Sequence, residues 1–418
     1  MAKYITVVGG GIIGLSTALA LILRGANVTL IDAGDGVGQG ASFANGGQLS
    51  YRYVSPLADK GVVWQGLKWM GKSDSPLNLR IEPSLFQWRW LLRFLFACNT
   101  QKNQDNTHNI LRLSLFSQKA LAFWRKSILT EDFGWRRSGK MIIHRHQMDF
   151  ENAANKIDPE FQQCLTADEA CLKEPALESI RAELAGAIYA PNDETADAYQ
   201  CCLAILAYLK KEPRFTLKSG CAVKRIIADK SKAIAIETDQ GTYQVEELVI
   251  AAGNSSRELL KPLKMNLPIY PLKGYSLSLP FPEAAHVVPK MSVTDFAHKT
   301  VYAKLGDTLR IAAMVDIGYE KTGIRANRIQ ALKKSVTDTF PQLEGIDEST
   351  VWSGLRPSTP EGPPILGRTR YRNLWLNVGH GSLGFTLAAG SAEVLAELIT
   401  DHRSSINLEG LTLFDAMS

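Results

Sequence analysis

The chain has 418 residues, 45% hydrophobic and 21% charged, and its 47 basic and 42 acidic residues leave a net charge of +5. Those values exclude a disordered chain, a collagen-like fibre and a coiled coil, and the length points to two domains or one with large insertions. The basic excess is spread out, without the concentrated footprint of a nucleic-acid binder, and suits acidic small molecules or an anionic surface.

Tyr4–Val8 reads as a short buried strand running into Gly9-Gly10-Gly11-Ile12-Ile13-Gly14, a G-x-G-x-x-G. A helix-compatible run, Leu15–Leu23, and a second strand, Asn27–Ile31, follow, ending at Asp32. Lys3 and the apolar residues up to Leu23 have the outline of a signal peptide, but a β-α-β unit explains the glycines better. Gly9 permits the turn out of the strand, Gly11 lets a pyrophosphate approach the backbone at Ile12 and Ile13, and Gly14 lets helix and strand pack closely. The helix N-terminus offers free N–H groups and a positive dipole end. Asp32 is placed to accept hydrogen bonds from a ribose and disfavours a 2′-phosphate, so the ligand is expected to be FAD or NAD.

The next loop tilts the choice to FAD. Ser42, Ala44, Asn45, Gly46, Gly47 and Gln48 make a small, polar, extended stretch suited to follow a ribityl chain. Further on, Leu85–Phe96 is dense in aromatic residues and leucines, with Arg89 and Arg93 four apart on one helical face. Residues 85–96 suit a helix in a membrane interface, and Trp64, Lys68 and Trp69 share its character. The competing reading is a buried helix with its arginines snorkelling outward. The polar stretch Asn99–Asn109 reads as a surface loop leading into a helix. Gly139–His144, Gly274–Leu279, Thr300–Lys304 and Thr308–Val315 are strand-like.

Glu247–Gly253 reads as a buried strand ending in small residues, with Gly253 at the cofactor. Asn373–Val378 is a strand that meets Gly379-His380-Gly381-Ser382-Leu383-Gly384, before a helix over Phe385–Ile399. That helix N-terminus can serve a second polar part of the cofactor. Ser404–Ser418 reads as a tail packed on the surface. No run of 18 apolar residues points to a membrane span. The six cysteines form no C-x-x-C and no zinc spacing, so no metal is expected, and reduced thiols in a cytoplasmic compartment are the simplest reading.

These stretches carry a resemblance. With Tyr53-x-x-Pro56, Pro191-Asn192-Asp193-Glu194-Thr195, Tyr270–Ser276 and Trp352-x-Gly354-Leu355-Arg356-Pro357-x-Thr359-Pro360, the chain resembles the D-amino-acid oxidase superfamily of FAD enzymes. Within it, the chain resembles the bacterial D-amino-acid dehydrogenases. Two departures lie in the expected pocket region: Ala196 stands where Gly is expected, and Ile311–Met314 where relatives tend to have glycines.

The resemblance implies an α/β fold of p-hydroxybenzoate-hydroxylase type. Residues 1–50, 190–265 and 350–418 would form a Rossmann-like FAD domain, and 51–189 with 266–349 a substrate domain built on an antiparallel sheet. It implies oxidation of an amino acid at Cα by hydride transfer to the flavin, giving a 2-oxo acid and ammonia. Arg356 is the expected carboxylate clamp, since a guanidinium fork fixes position and angle together. Tyr53 and Tyr275 are second choices for the pocket, or are core aromatics. Gly354 would stand at the cofactor, and His380 would bond the flavin or act through its backbone. No general base is required if the amine enters neutral. FAD is expected to be non-covalent, because no cysteine follows Cys221.

The implied electron acceptor is a quinone, reached by peripheral contact with the inner face of the cytoplasmic membrane. Alternatives are a glycine- or sarcosine-type oxidase, an enzyme for D-hydroxyproline or another cyclic imino acid, a flavin-dependent tRNA-modifying module, or a non-catalytic flavin-binding protein.

Overall fold

The computed structural model describes residues 3–62, 75–281, 287–320, 323–400 and 403–417. Trp64, Lys68 and Trp69 lie outside the described residues. The strand Tyr4–Val8 sits inside a six-stranded sheet of order Ile365–Arg368, Leu374–Val378, Glu247–Ile250, Tyr4–Val8, Asn27–Ile31, Phe215–Lys218. All its pairings are parallel except that of the first two strands. Its central strands are almost wholly buried, as a parallel sheet covered on both faces requires. The helix Ile12–Leu23 packs against helices Ala198–Leu209 and Gly384–Thr400. A three-stranded antiparallel sheet, residues 223–244, borders the other face.

A larger, nine-stranded sheet is mixed rather than purely antiparallel. Ser292–Asp295 runs parallel to Lys140–His144, and Leu77–Leu79 parallel to the end of Thr308–Ile317; the other pairings are antiparallel. Its far face packs on helix Ala326–Thr339 through Ile329, Leu332, Val336 and Phe340. Thr350–Ser358 is the edge strand of this sheet, beside Tyr270–Pro280. Arg356 is therefore built into the nine-stranded sheet.

Other expectations also shift. Asn99 caps a 28-residue helix, Thr100–Ser127, by accepting from the Lys102 N–H, so no loop precedes that helix beyond its cap. That helix packs along Gly384–Thr400, placing part of the expected substrate segment on the side of the six-stranded sheet. The run Gly381–Thr400 is long and apolar enough to cross a membrane, but most of it is buried here as a core helix.

Arg89 and Arg93 have different fates. Arg89 is exposed, while Arg93 pairs with Glu361 at 2.7 Å and donates to the Ala416 carbonyl. Trp90 and Phe94 are buried on the inner face of the same helix, which is the pattern of an amphipathic element docked on the protein.

Gly390 allows the two long helices to touch. A Cβ there would lie 2.8 Å from the Ser117 backbone, and its N–H donates to the Ser117 hydroxyl at 3.0 Å. Gly390→Ala should cost about 1–3 kcal/mol by overpacking, read as a lowered thermal midpoint.

Candidate active site

The glycine-rich turn is built by close approach. Gly9 has φ +114, and a Cβ there would lie 2.4 Å from the Ala251 carbonyl oxygen. A Cβ on Gly14 would lie 1.8 Å from the Gly9 carbonyl oxygen, so helix and strand touch as their spacing requires. Gly11 differs: only the Ser42 hydroxyl comes near, at 3.5 Å, leaving its outer side open. Ser42 accepts from the Ile12 N–H at 3.1 Å, tying the small-residue loop to the helix N-terminus. The Asp32 carboxylate accepts from the N–H groups of Gly10 and Gly34, which holds it at the end of its strand.

The loop then crosses to the large sheet. Gln48–Leu49 pairs antiparallel with Glu194–Thr195, and the Gln48 amide donates to Ser292 and Thr294. Gly47 accepts from the Ala196 N–H and Asn45 from Arg310, while Gly46 faces Ala312. Ser276 donates to the Ala44 carbonyl at 2.8 Å. Side chains alternate along a strand, so Ser276 and Gly274 share one face. The Arg356 guanidinium lies over Gly274. The loop from Ala44 to Gln48 and Arg356 therefore stand on the same side of the sheet.

Tyr275 is not brought there. It is 1% exposed, belongs to the opposite core, and donates its hydroxyl to Asp316 at 2.8 Å. One position along a strand reverses the face, and that alone removes it from the pocket. Tyr53 is 44% exposed, yet burial raises its phenol. Arg356 likewise keeps accessible surface, while burial lowers its pKa against the pull of Asp316. Both properties together belong to a group facing an internal recess. Among the described residues Arg356 pairs with no carboxylate; its Nη1 donates to the Met314 carbonyl at 2.9 Å.

The C-terminal turn closes the group. Ser358 and His380 form a β-bridge, and Gly379, at φ +80, abuts Thr359. His380 is 3% exposed, its Nε2 lies 3.2 Å from the Ser391 hydroxyl, and burial lowers its pKa to about 3. A neutral, inward-facing imidazole leaves only its backbone for the recess. Gly381–Leu383 is a single tight turn ahead of the helix that Gly384 opens. Asn254, beside Gly253, donates to the Leu355 carbonyl at 3.0 Å and so ties the six-stranded sheet, at the end of Glu247–Ile250, to the Arg356 strand.

These residues fit FAD. Gly11 leaves open backbone at a helix N-terminus, and the Asn254 Oδ1 and Ser256 Oγ are buried without partners in the protein. A polar surface cleft lined by Arg145, Glu183, His298 and Asp338 shares no residue with the group.

Three residues escaped the sequence reading. The Trp352 ring lies over Gly354, where a Cβ would come within 2.1 Å of it, on the same strand face as Arg356. Gly354 thus serves the Trp352 ring. The W-x-G-x-R spacing could have signalled this. Met314 closes the stretch Ile311–Met314 already singled out as a departure from the expected pattern. Lys140 had no signal: 3% exposed, it donates to Ser50 at 3.0 Å and stands 4.3 Å from the Tyr53 ring centroid.

The family follows from comparison. Residues 5–398 match the model of the family described as FAD dependent oxidoreductase, and the chain belongs to that family. It is 44% identical to "D-amino acid dehydrogenase 2" of Pseudomonas aeruginosa, over 98% of each chain, and 39% identical to a protein of the same name from Ralstonia nicotianae, over 96% and 97%. Its fold is similar to glycine oxidase from Geobacillus kaustophilus, with TM-score 0.74 and 22% identity over 99% of each chain. L-proline dehydrogenase from P. horikoshii follows at 0.71 and 18%, over 99% and 97%.

Lys140 and Asp193 give a pH signature. Burial lowers Lys140 from 10.5 to about 8 and raises Asp193 from 3.8 to about 6, each resisted by the other's charge. Between about pH 4 and 6 folded Asp193 keeps a proton that the unfolded chain has lost, so stability falls as pH rises. Between about pH 8 and 10.5 folded Lys140 has lost a proton that the unfolded chain keeps, so stability rises. Each step is on the order of 3 kcal/mol. A thermal-midpoint profile of the double variant Lys140→Met/Asp193→Asn should lack both slopes.

Proposed function

We propose that this chain oxidises D-amino acids to 2-oxo acids and ammonia in an FAD-dependent reaction, passing the electrons to a quinone in a membrane. The observation that carries the substrate reading is Arg356. A guanidinium deep in the protein, without a carboxylate partner among the described residues, on the same sheet face as the cofactor loop, is a receptor for a small acid. Curated relatives named for D-amino acids support the handedness.

The chain's own groups do the positioning. Arg356 binds the substrate carboxylate and fixes its angle. The Trp352 ring covers Gly354 on the same strand face as Arg356, and Tyr53, beside the Lys140 ammonium, would cover the amine end of the substrate. FAD, held by Gly9–Gly14, Asp32, the loop 42–48 and the 379–384 turn, would supply hydride acceptance from Cα. The substrate enters as the neutral amine, so its nitrogen lone pair assists departure of the hydride. Water then attacks the imino acid and ammonia leaves. The two parts are a cofactor domain and a substrate domain, with the last boundary after Ser358.

Leu85, Trp88, Leu92, Leu95 and Phe96 support the membrane reading. All five are exposed on one face of the helix Leu85–Ala97, with Arg89 among them, whereas the opposite face is buried. An amphipathic stripe with tryptophan and arginine suits a lipid interface. A rim in contact with lipid would bring the enzyme to a lipid-soluble acceptor.

Anaerobic mixing with paired D- and L-amino acids should bleach the flavin with the D series only; bleaching by the L series, or by neither, overturns the reading. Arg356→Leu should raise KM about 100-fold with FAD content unchanged, the scale of a lost charge-assisted pair. Leu92→Glu/Phe96→Glu should keep dye reduction and lose quinone reduction in vesicles; equal loss of both excludes the membrane helix.

A further inference from the structure

The antiparallel register of Tyr270–Pro280 and Thr308–Ile317 breaks beside Arg356. Lys273 faces Asp316 and Tyr275 faces Ala313, so Gly274 alone stands opposite Met314 and Val315. The extra residue is a β-bulge, at the point where the strand Thr308–Ile317 leaves Thr300–Leu305 and takes up Leu77–Leu79 as neighbour. Met314 adopts φ +71, a left-handed conformation rare for a residue with a side chain. Its side chain is buried in the core under the sheet. Its carbonyl accepts from the Arg356 Nη1 at 2.9 Å.

Gly274 provides the other half. A Cβ there would lie 2.4 Å from the Arg356 Nη2, 2.5 Å from Cζ and 2.7 Å from Nη1. The guanidinium therefore lies directly on the bare backbone of the neighbouring strand. No other residue type leaves that space. The backbone below it and the carbonyl beside it restrict the plane and rotation of the fork.

We propose that Gly274 and the left-handed Met314 form a seat that aims the Arg356 guanidinium, and that both are positioning residues for the substrate carboxylate. The proposal rests on the reading of Arg356 as the carboxylate anchor. Met314 acts through its backbone: the bulge and the left-handed conformation turn its carbonyl toward Nη1. Binding a carboxylate through two parallel hydrogen bonds demands a defined guanidinium plane, so an unseated arginine keeps its charge and loses the fork geometry.

Backbone and side chain can be separated by substitution. Valine disfavours positive φ through its branched Cβ, whereas glycine adopts it freely. KM and kcat are measured for holoenzyme with the amino acid that bleaches the flavin fastest. Met314→Val is expected to raise KM about tenfold or more with little change in kcat, the size of one lost hydrogen bond to a charged group. Met314→Gly is expected to rescue KM to within about twofold, because glycine holds the same conformation. Gly274→Ala is expected to raise KM at least as far as Met314→Val, and it decides the matter if the valine variant binds no FAD. The seat is overturned if Arg356→Leu raises KM while Met314→Val and Gly274→Ala match the parent. It is overturned equally if the glycine variant is as impaired as the valine variant. An Arg356→Leu variant with unchanged KM removes the anchor itself, which is a separate failure.

Discussion

One desolvated charge organises this molecule. Arg356 lies among protein atoms without a carboxylate partner among the described residues, supported by a single backbone carbonyl and the more distant Asp316. Removing a cation from water is costly unless an opposite charge arrives, which is why we propose that an acid ligand completes this position. The neighbours are consistent with that cost. Gly274 makes room, Trp352 covers Gly354 on the same strand face, and the segment after Tyr53 packs Pro56 against Gly362, just beyond the arginine strand.

The cofactor side is connected to this charge by backbone more than by side chains. The loop from Ser42 to Gln48 is tied to the N-terminus of the first helix at Ser42, crosses to the large sheet and is pinned there by Ser276, Arg310 and the Glu194–Thr195 pairing. The turn at Gly379–Gly384 meets the end of the arginine strand through the Ser358–His380 bridge. Asn254 adds a third tie. The turn and Asn254 thus meet the arginine strand itself, while the loop is pinned to the next two strands of the same sheet, Tyr270–Pro280 and Thr308–Ile317. Residues that looked like donors, His380 above all, contribute through the path of the backbone.

The substrate side also contains charge that the mechanism does not use directly. Lys140 stands beneath Tyr53, where burial outweighs the opposing pull of Asp193, and the Lys140–Ser50 and Tyr51–Asp193 hydrogen bonds tie the loop after Leu49 to the large sheet. A buried lysine costs less when a carboxylate and an aromatic face share its field. The neighbouring Glu194 is held by Tyr51 and Trp135, so the motif Asp193-Glu194-Thr195 is a structural brace as well as a strand.

Local patterns sufficed for whatever depends on neighbours in the chain. The β-α-β unit, the glycine spacing, Asp32 at the end of its strand, and the helix after Gly384 could be read directly, because strand and helix periodicity and turn chemistry act over a few residues. Arg356 stood out through its motif, and its proposed role starts from there. Side choice was not legible. Tyr275 and Gly274 are adjacent, and only the pairing of Tyr270–Pro280 with two neighbours decides that the glycine faces the recess and the tyrosine the core. The bulge at Met314, the fates of Arg89 and Arg93 and the buried Lys140 depend on contacts across dozens to hundreds of residues. Burial and register are properties of the assembled sheet, and no single stretch of chain contains them.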